Sequence, residues 1–117
     1  MQLELLAQEI GARVCSPGRG VNVEIDQVYA GDRISDLLNA AGDHALLVSN
    51  LSSGHLIRVA ELMDVPGLCL VGGQTPDEAM LAAAAEHGTL LMVSRAGLFE
   101  TCGRIYQALG RGGRADG

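Results

Sequence analysis

The sequence predicts an α/β domain of three layers, a mainly parallel sheet flanked by helices. Two observations carry this expectation. Three short apolar runs, Leu46-Leu47-Val48-Ser49, Leu68-Cys69-Leu70-Val71 and Leu90-Leu91-Met92-Val93, begin at regular 22-residue intervals. Continuous apolar runs bounded by turns suit central strands covered on both faces. A stretch of helical periodicity follows each run, so the order reads β-α-β-α-β-α, and right-handed crossovers make the three strands parallel, adjacent or near-adjacent in the sheet. The spacing is that of a βα unit, with too few units for a solenoid.

The first half of the chain is less regular. Leu3, Leu6, Ala7 and Ile10 form the apolar stripe of a short helix that Gly11 stops. Ala12 to Cys15 reads as a short strand, and Ser16-Pro17-Gly18-Arg19-Gly20 as a loop. Val21, Val23 and Ile25 alternate with Asn22, Glu24 and Asp26, the pattern of a strand with one solvated face. Asp32 then caps a helix with Ile34, Leu37, Leu38 and Ala41 on its buried face, and Gly42 ends it.

In the second half, the first helix presents Leu56, Val59, Ala60 and Met63 and stops at Val65-Pro66-Gly67. The next opens with Thr75-Pro76-Asp77-Glu78, which supplies a capping hydroxyl, a first-turn proline and a carboxylate three residues on. The last presents Leu98, Cys102, Ile105 and Leu109. This predicts one domain over residues 1–109 and a disordered Gly/Arg tail over 110–117.

Composition narrows the function. The chain has 117 residues, net charge −6 and 48% hydrophobic residues, enough for one core without a disulfide or metal. All eight positive charges are arginines, which excludes a lysine-dependent phosphate loop, a Schiff-base enzyme and a pyridoxal-phosphate anchor. The only aromatics are Tyr29, Phe99 and Tyr106, too few for base-stacking platforms. An acidic chain without a basic stripe is a poor nucleic-acid binder. Cys15, Cys69 and Cys102 lack CxxC spacing and sit in apolar contexts, as thiols of a reducing compartment do. No apolar run approaches the ~20 residues of a membrane span, and the start Met1-Gln2-Leu3-Glu4 lacks a signal-peptide pattern. A cytoplasmic protein without membrane contact is expected.

In an open parallel sheet, ligands gather beyond the carboxyl ends of the strands. Those ends are Ser49-Asn50-Leu51-Ser52-Ser53, Gly72-Gly73-Gln74-Thr75 and Ser94-Arg95-Ala96-Gly97. Each feeds a helix start, where amides and the dipole favour an anion, and Arg95 adds a bidentate partner. The candidate ligand-binding residues are therefore Gly72, Gly73, Gln74, Thr75, Ser49, Asn50, Ser94 and Arg95, with unpaired amides expected at the glycine turn. The plain structural reading is that the glycines permit positive φ and the hydroxyls cap helices, with no ligand. Catalytic constellations do not assemble. His44 and His87 precede strands while His55 follows one, roughly 15–20 Å away, so no three-histidine zinc site or Ser-His-Asp arrangement follows. Cys102 is either a thiol activated near a helix start or, by its place in the Leu98/Ile105 stripe, a core thiol. No catalytic residue, cofactor or metal is expected.

The stretch from about Val21 to Tyr106 resembles the DRTGG domain. The likeness rests on Val28-Tyr29-Ala30-Gly31-Asp32 with Asp36-Leu37-Leu38, and on Ala45-Leu46-Leu47-Val48-Ser49. It continues through Leu70-Val71-Gly72-Gly73 with Thr75-Pro76, then Phe99-Glu100-Thr101 before Ile105-Tyr106. Where the family carries an Asp-Arg pair, this chain reads Ser52-Ser53-Gly54-His55; where it carries Thr-Gly-Gly, the chain reads Val71-Gly72-Gly73, so only the glycine pair is kept. The family occurs as a regulatory segment in phosphotransacetylases and CBS-domain pyrophosphatases and as small stand-alone proteins near redox complexes such as iron hydrogenases. Its fold is similar to the N-terminal domain of HPr kinase, whose chemistry belongs to a separate phosphate-loop domain. The resemblance implies a regulatory or accessory module that forms a homodimer or docks on a metabolic or redox enzyme. The alternative is a sensor of a nucleotide or other small anion at the carboxyl edge.

Overall fold

A computed structural model of the chain describes residues 1–18, 24–31, 44–50 and 54–112. Among them, five strands form one sheet: β1 (Arg13–Pro17), β2 (Gln27–Ala30), β3 (Ala45–Ser49), β4 (Gly67–Leu70) and β5 (Leu90–Val93), in the order β1-β5-β4-β3-β2. The four described helices are α1 (Leu3–Ile10), α2 (Gly54–Met63), α3 (Glu78–His87) and α4 (Leu98–Gly112). The pairs β2/β3, β3/β4 and β4/β5 are parallel, and only β1 runs against its neighbour β5. The three apolar runs are thus adjacent parallel strands, and the three-layer α/β expectation holds.

Burial on both faces explains why these strands read as unbroken apolar runs. Leu46, Val48, Cys69, Val71, Leu90 and Met92 point to the layer of α1 and α4. Leu47, Leu68, Leu70, Leu91 and Val93 point to the layer of α2 and α3. Alternate side chains leave a strand on opposite faces, so both sets must be apolar when helices cover both sides. Each large core side chain removed from water contributes about 1.5–3 kcal/mol. The α1 stripe packs as expected, with Leu3, Leu6, Ala7 and Ile10 all buried. Gly11 adopts φ 72° and lets Ala12 N–H reach the Ala7 carbonyl at 2.9 Å, closing the helix end. Arg104 donates to the Ile10 carbonyl at 3.1 Å, tying α4 to that same end.

Several elements differ from expectation. β1 extends through Ser16 and Pro17, with a bulge between Val14 and Ser16, rather than entering a loop at Ser16. Pro17 is tolerated because β1 is an edge strand, where a missing N–H breaks no ladder on the outer side. Of the expected strand over 21–26, residues 21–23 lie outside the described residues. Glu24 makes an isolated antiparallel bridge to Gln2, Ile25 is buried, and the ladder to β3 begins only at Gln27. The helix expected over 32–42 lies outside the described residues. Gly67 opens β4 instead of standing in the preceding turn. A Cβ there would come within 2.6 Å of Leu3 Cδ2, so α1 packs directly against this backbone. In α2 the buried set is Leu56, Ile57, Val59 and Ala60, while Met63 is exposed. α4 continues to Gly112, so residues 110–112 are helical; residues 113–117 lie outside the described residues.

Candidate functional site

The parallel strands deliver their carboxyl ends to one edge of the sheet. Their register places Ser49 opposite Leu70 and Leu70 opposite Val93. Seven of the eight sequence-chosen residues fall on the β3, β4 and β5 ends at this edge, and Thr75 follows on the way into α3. How they are used differs from expectation. Gly72 and Gly73 both adopt left-handed φ, 75° and 69°. Their amides are not free: Gly72 N–H donates to the Ala96 carbonyl at 2.7 Å, and Gly73 N–H to the Ser94 carbonyl at 2.9 Å. The glycine turn is a clasp between the β4–α3 and β5–α4 connections. Both positions lie in the left-handed region that glycine enters without steric cost, which is the physical reason for a glycine pair in this clasp. Among the described residues the space above the turn is open, with nothing within 4 Å of either ideal Cβ position.

Ser94 is likewise committed. It is buried, and its Oγ lies 2.8 Å from Thr101 Oγ1. Ala96 N–H donates to Ser94 Oγ at 3.3 Å, and Thr101 Oγ1 donates to the Ala96 carbonyl at 3.3 Å. One hydroxyl hydrogen each then closes the ring, with Ser94 donating to Thr101. This ring holds the start of α4 and withdraws Ser94 from any ligand. Ser49 is fully buried and its carbonyl accepts Val71 N–H at 3.1 Å. Gln74 Nε2 donates to the Asn50 carbonyl, bracing the turn against the β3 end.

The α3 start also differs. Asp77 is the N-cap, with its carboxylate accepting Met80 N–H at 2.8 Å, whereas Thr75 lies two residues earlier and Glu78 is the first helical residue. A carboxylate N-cap outcompetes a more distant hydroxyl because it satisfies an orphan amide and faces the positive helix end.

Among the described residues, what remains at the rim for a ligand is exposed Asn50, Thr75 and Arg95, with the part of the Gln74 amide that its bond to the Asn50 carbonyl leaves over. The structure adds one residue that sequence reasoning missed. Arg13 starts β1 opposite Val93, so the antiparallel edge strand brings its exposed side chain to the carboxyl edge. There it lines an open cleft of about 370 Å³ with Val14, Cys15, Thr75, Pro76 and Leu81. The sequence marked Ala12–Cys15 as a strand, but no local signal says which strand it joins or in which direction.

His44 and His87 lie toward the amino ends of the strands, His87 with Nε2 3.5 Å from Asp64 Oδ1, and His55 sits near the start of α2. Burial pushes the Cys69 thiol up to about 12, with Cys102 adding to the effect, and burial also raises Cys102. Cys102 is therefore no activated thiolate. Among the described residues, no His, Cys, Asp and Glu cluster could hold a metal ion, and no helix is long and apolar enough to cross a membrane.

No family model and no curated protein sequence matches the chain. Among solved structures, the fold matches the CBS and DRTGG domains of the regulatory region of Clostridium perfringens pyrophosphatase, a structure complexed with its activator diadenosine tetraphosphate. The match has a TM-score of 0.78 at 14% identity and covers 91% of this chain and 46% of that regulatory-region chain. The two share a fold.

Proposed function

We propose that this chain is a non-catalytic regulatory module of the DRTGG type, working in the cytoplasm as a homodimer or docked on a metabolic or redox enzyme. The supporting observation is the fold shared over 91% of its length with a regulatory region rather than a catalytic domain. The site chemistry agrees: the carboxyl edge presents guanidiniums and amides but pairs its serine into a structural ring. A second reading is favoured by the cleft beside Arg13 and Thr75. In it the module senses a nucleotide or other small anion held by Arg13, Arg95, Thr75, Gln74 and Asn50, with Gly72, Gly73, Ser49 and Ser94 shaping the edge from behind. The negative charges of Asp77 and Glu78 oppose this, so binding at about the millimolar level is expected for simple anions.

The test is a thermal-shift titration with phosphate, AMP, ATP and diadenosine tetraphosphate, read alongside amide NMR shifts. A ligand at 100 times its dissociation constant adds about 2.7 kcal/mol, or roughly 10 °C for a domain this size. Sensing predicts shifts centred on Arg13, Thr75 and Arg95 that Arg95→Ala weakens. Shifts centred on His44 and His87 would place the ligand at the wrong edge. Turnover of ATP by the purified chain would refute the non-catalytic reading.

A further inference from the structure

Among the described residues, the α4 helix has two apolar faces, and only one packs against the rest of the fold. Thr101, Ile105 and Ala108 are buried against the sheet and α1. On the outer side stand Phe99, 94% exposed, and Tyr106, 79% exposed, two of the three aromatics in the whole chain. Between and beyond them, on the same stripe, lie Gly103 and Gly110. The positions 99, 103, 106 and 110 fall within a ~60° arc at 100° per residue, so large and small residues alternate along one line.

Both glycines are unexplained by the fold itself. Neither has positive φ, and an added Cβ at either would meet nothing within 4 Å among the described residues. Glycine in a helix interior costs about 1 kcal/mol relative to alanine. A residue that weakens its helix without serving its own fold is suited to close approach by another chain.

We propose that this stripe is the contact between two copies of the chain, paired through antiparallel α4 helices about a two-fold axis passing between Arg104 and Ile105. That register is self-complementary. It sets Phe99 against Gly110 of the partner subunit and Tyr106 against Gly103 of the partner subunit, so each aromatic knob meets a glycine hole. An isologous interface needs such self-complementarity. The aromatics supply roughly 300–400 Å² per subunit, about half of the ~800 Å² that a stable interface buries on each side. Leu5, 44% exposed on α1 beside α4, and the helix backbone that the two glycines let the partner approach add to this area. Of the described flanking charges, Glu100 and Arg104 pair with each other within the subunit. The inference rests on the homodimer half of the proposed regulatory reading and leaves its ligand-sensing half untouched.

Sedimentation velocity on the full chain, without ligand, tests it. The wild type should be a dimer at about 0.1 mM, well above the constants of stable interfaces. Phe99→Ser and Tyr106→Ser should each raise the dimer dissociation constant at least about tenfold, as truncated central aromatics do. Gly103→Leu should block pairing while the circular dichroism shows a helix as well formed or better, which separates a filled hole from a misfolded chain. A wild type that stays monomeric at this concentration overturns the proposal, as does a dimer that survives all three changes. Either result would leave the ligand titration to stand or fall separately.

Discussion

Leu70→Ala offers a strict test of the sheet order. Leu70 is fully buried in β4, the middle strand of five, and faces the α2 and α3 layer with Leu47, Leu91 and Met80. The change removes three carbon atoms. At about 0.8 kcal/mol per buried methylene, lost transfer energy amounts to about 2.4 kcal/mol. Parallel neighbours on both sides and helices above leave little room for collapse, and each 50 Å³ of residual cavity adds roughly 1 kcal/mol. The expected loss is about 3–4 kcal/mol, a large share of the 5–15 kcal/mol typical of a domain. In urea, at a slope of about 2 kcal/mol/M, the midpoint should fall by roughly 1.5–2 M with the slope unchanged. Leu62→Ala removes the same atoms from a side chain 72% exposed on α2 and should stay within about 0.5 kcal/mol of wild type. A Leu70→Ala loss below 1 kcal/mol, or equal losses at the two sites, would refute a central β4 covered on both faces.

Three further outcomes follow from particular contacts. Thr89 is fully buried and its hydroxyl has no partner among the described residues, so Thr89→Val should raise stability by about 1 kcal/mol in the same urea assay; a loss of that size would show the hydroxyl is paired. Gly73→Ala should cost about 1–2 kcal/mol although space is open there, because φ 69° is strained for any side chain; a neutral result would mean the clasp relaxes freely. The raised Cys69 thiol binds its proton more tightly folded than unfolded, so its contribution is intact below the unfolded value of about 9. It is lost as pH climbs toward about 12, at a slope of at most roughly 1.4 kcal/mol per pH unit. Wild type minus Cys69→Ala, unfolded in urea from pH 8 to 11, should show that slope, and parallel curves would contradict the burial.

The parallel core was legible because its cause is local. A strand buried on both faces must be apolar at every position, and the turns between such strands and their helices need glycine, proline and capping residues. The runs at Leu46, Leu68 and Leu90 carry that signal without reference to anything distant, as does the α1 stripe closed by Gly11. The positions of the carboxyl-edge residues followed from the same order. Their use did not. Whether the amides of Gly72 and Gly73 face solvent depends on the Ser94 and Ala96 carbonyls, more than 20 residues along the chain. The Ser94–Thr101 ring likewise needs the β5–α4 turn to be built. β1 was the least legible strand, because the tertiary fold alone decides that a short edge segment pairs antiparallel with β5 and so carries Arg13 to the candidate site. Composition and periodicity determined the layers and the core. Pairing between distant segments decided which polar groups at the edge are already satisfied, since a hydrogen bond is settled by which partner arrives and not by the residue that offers it.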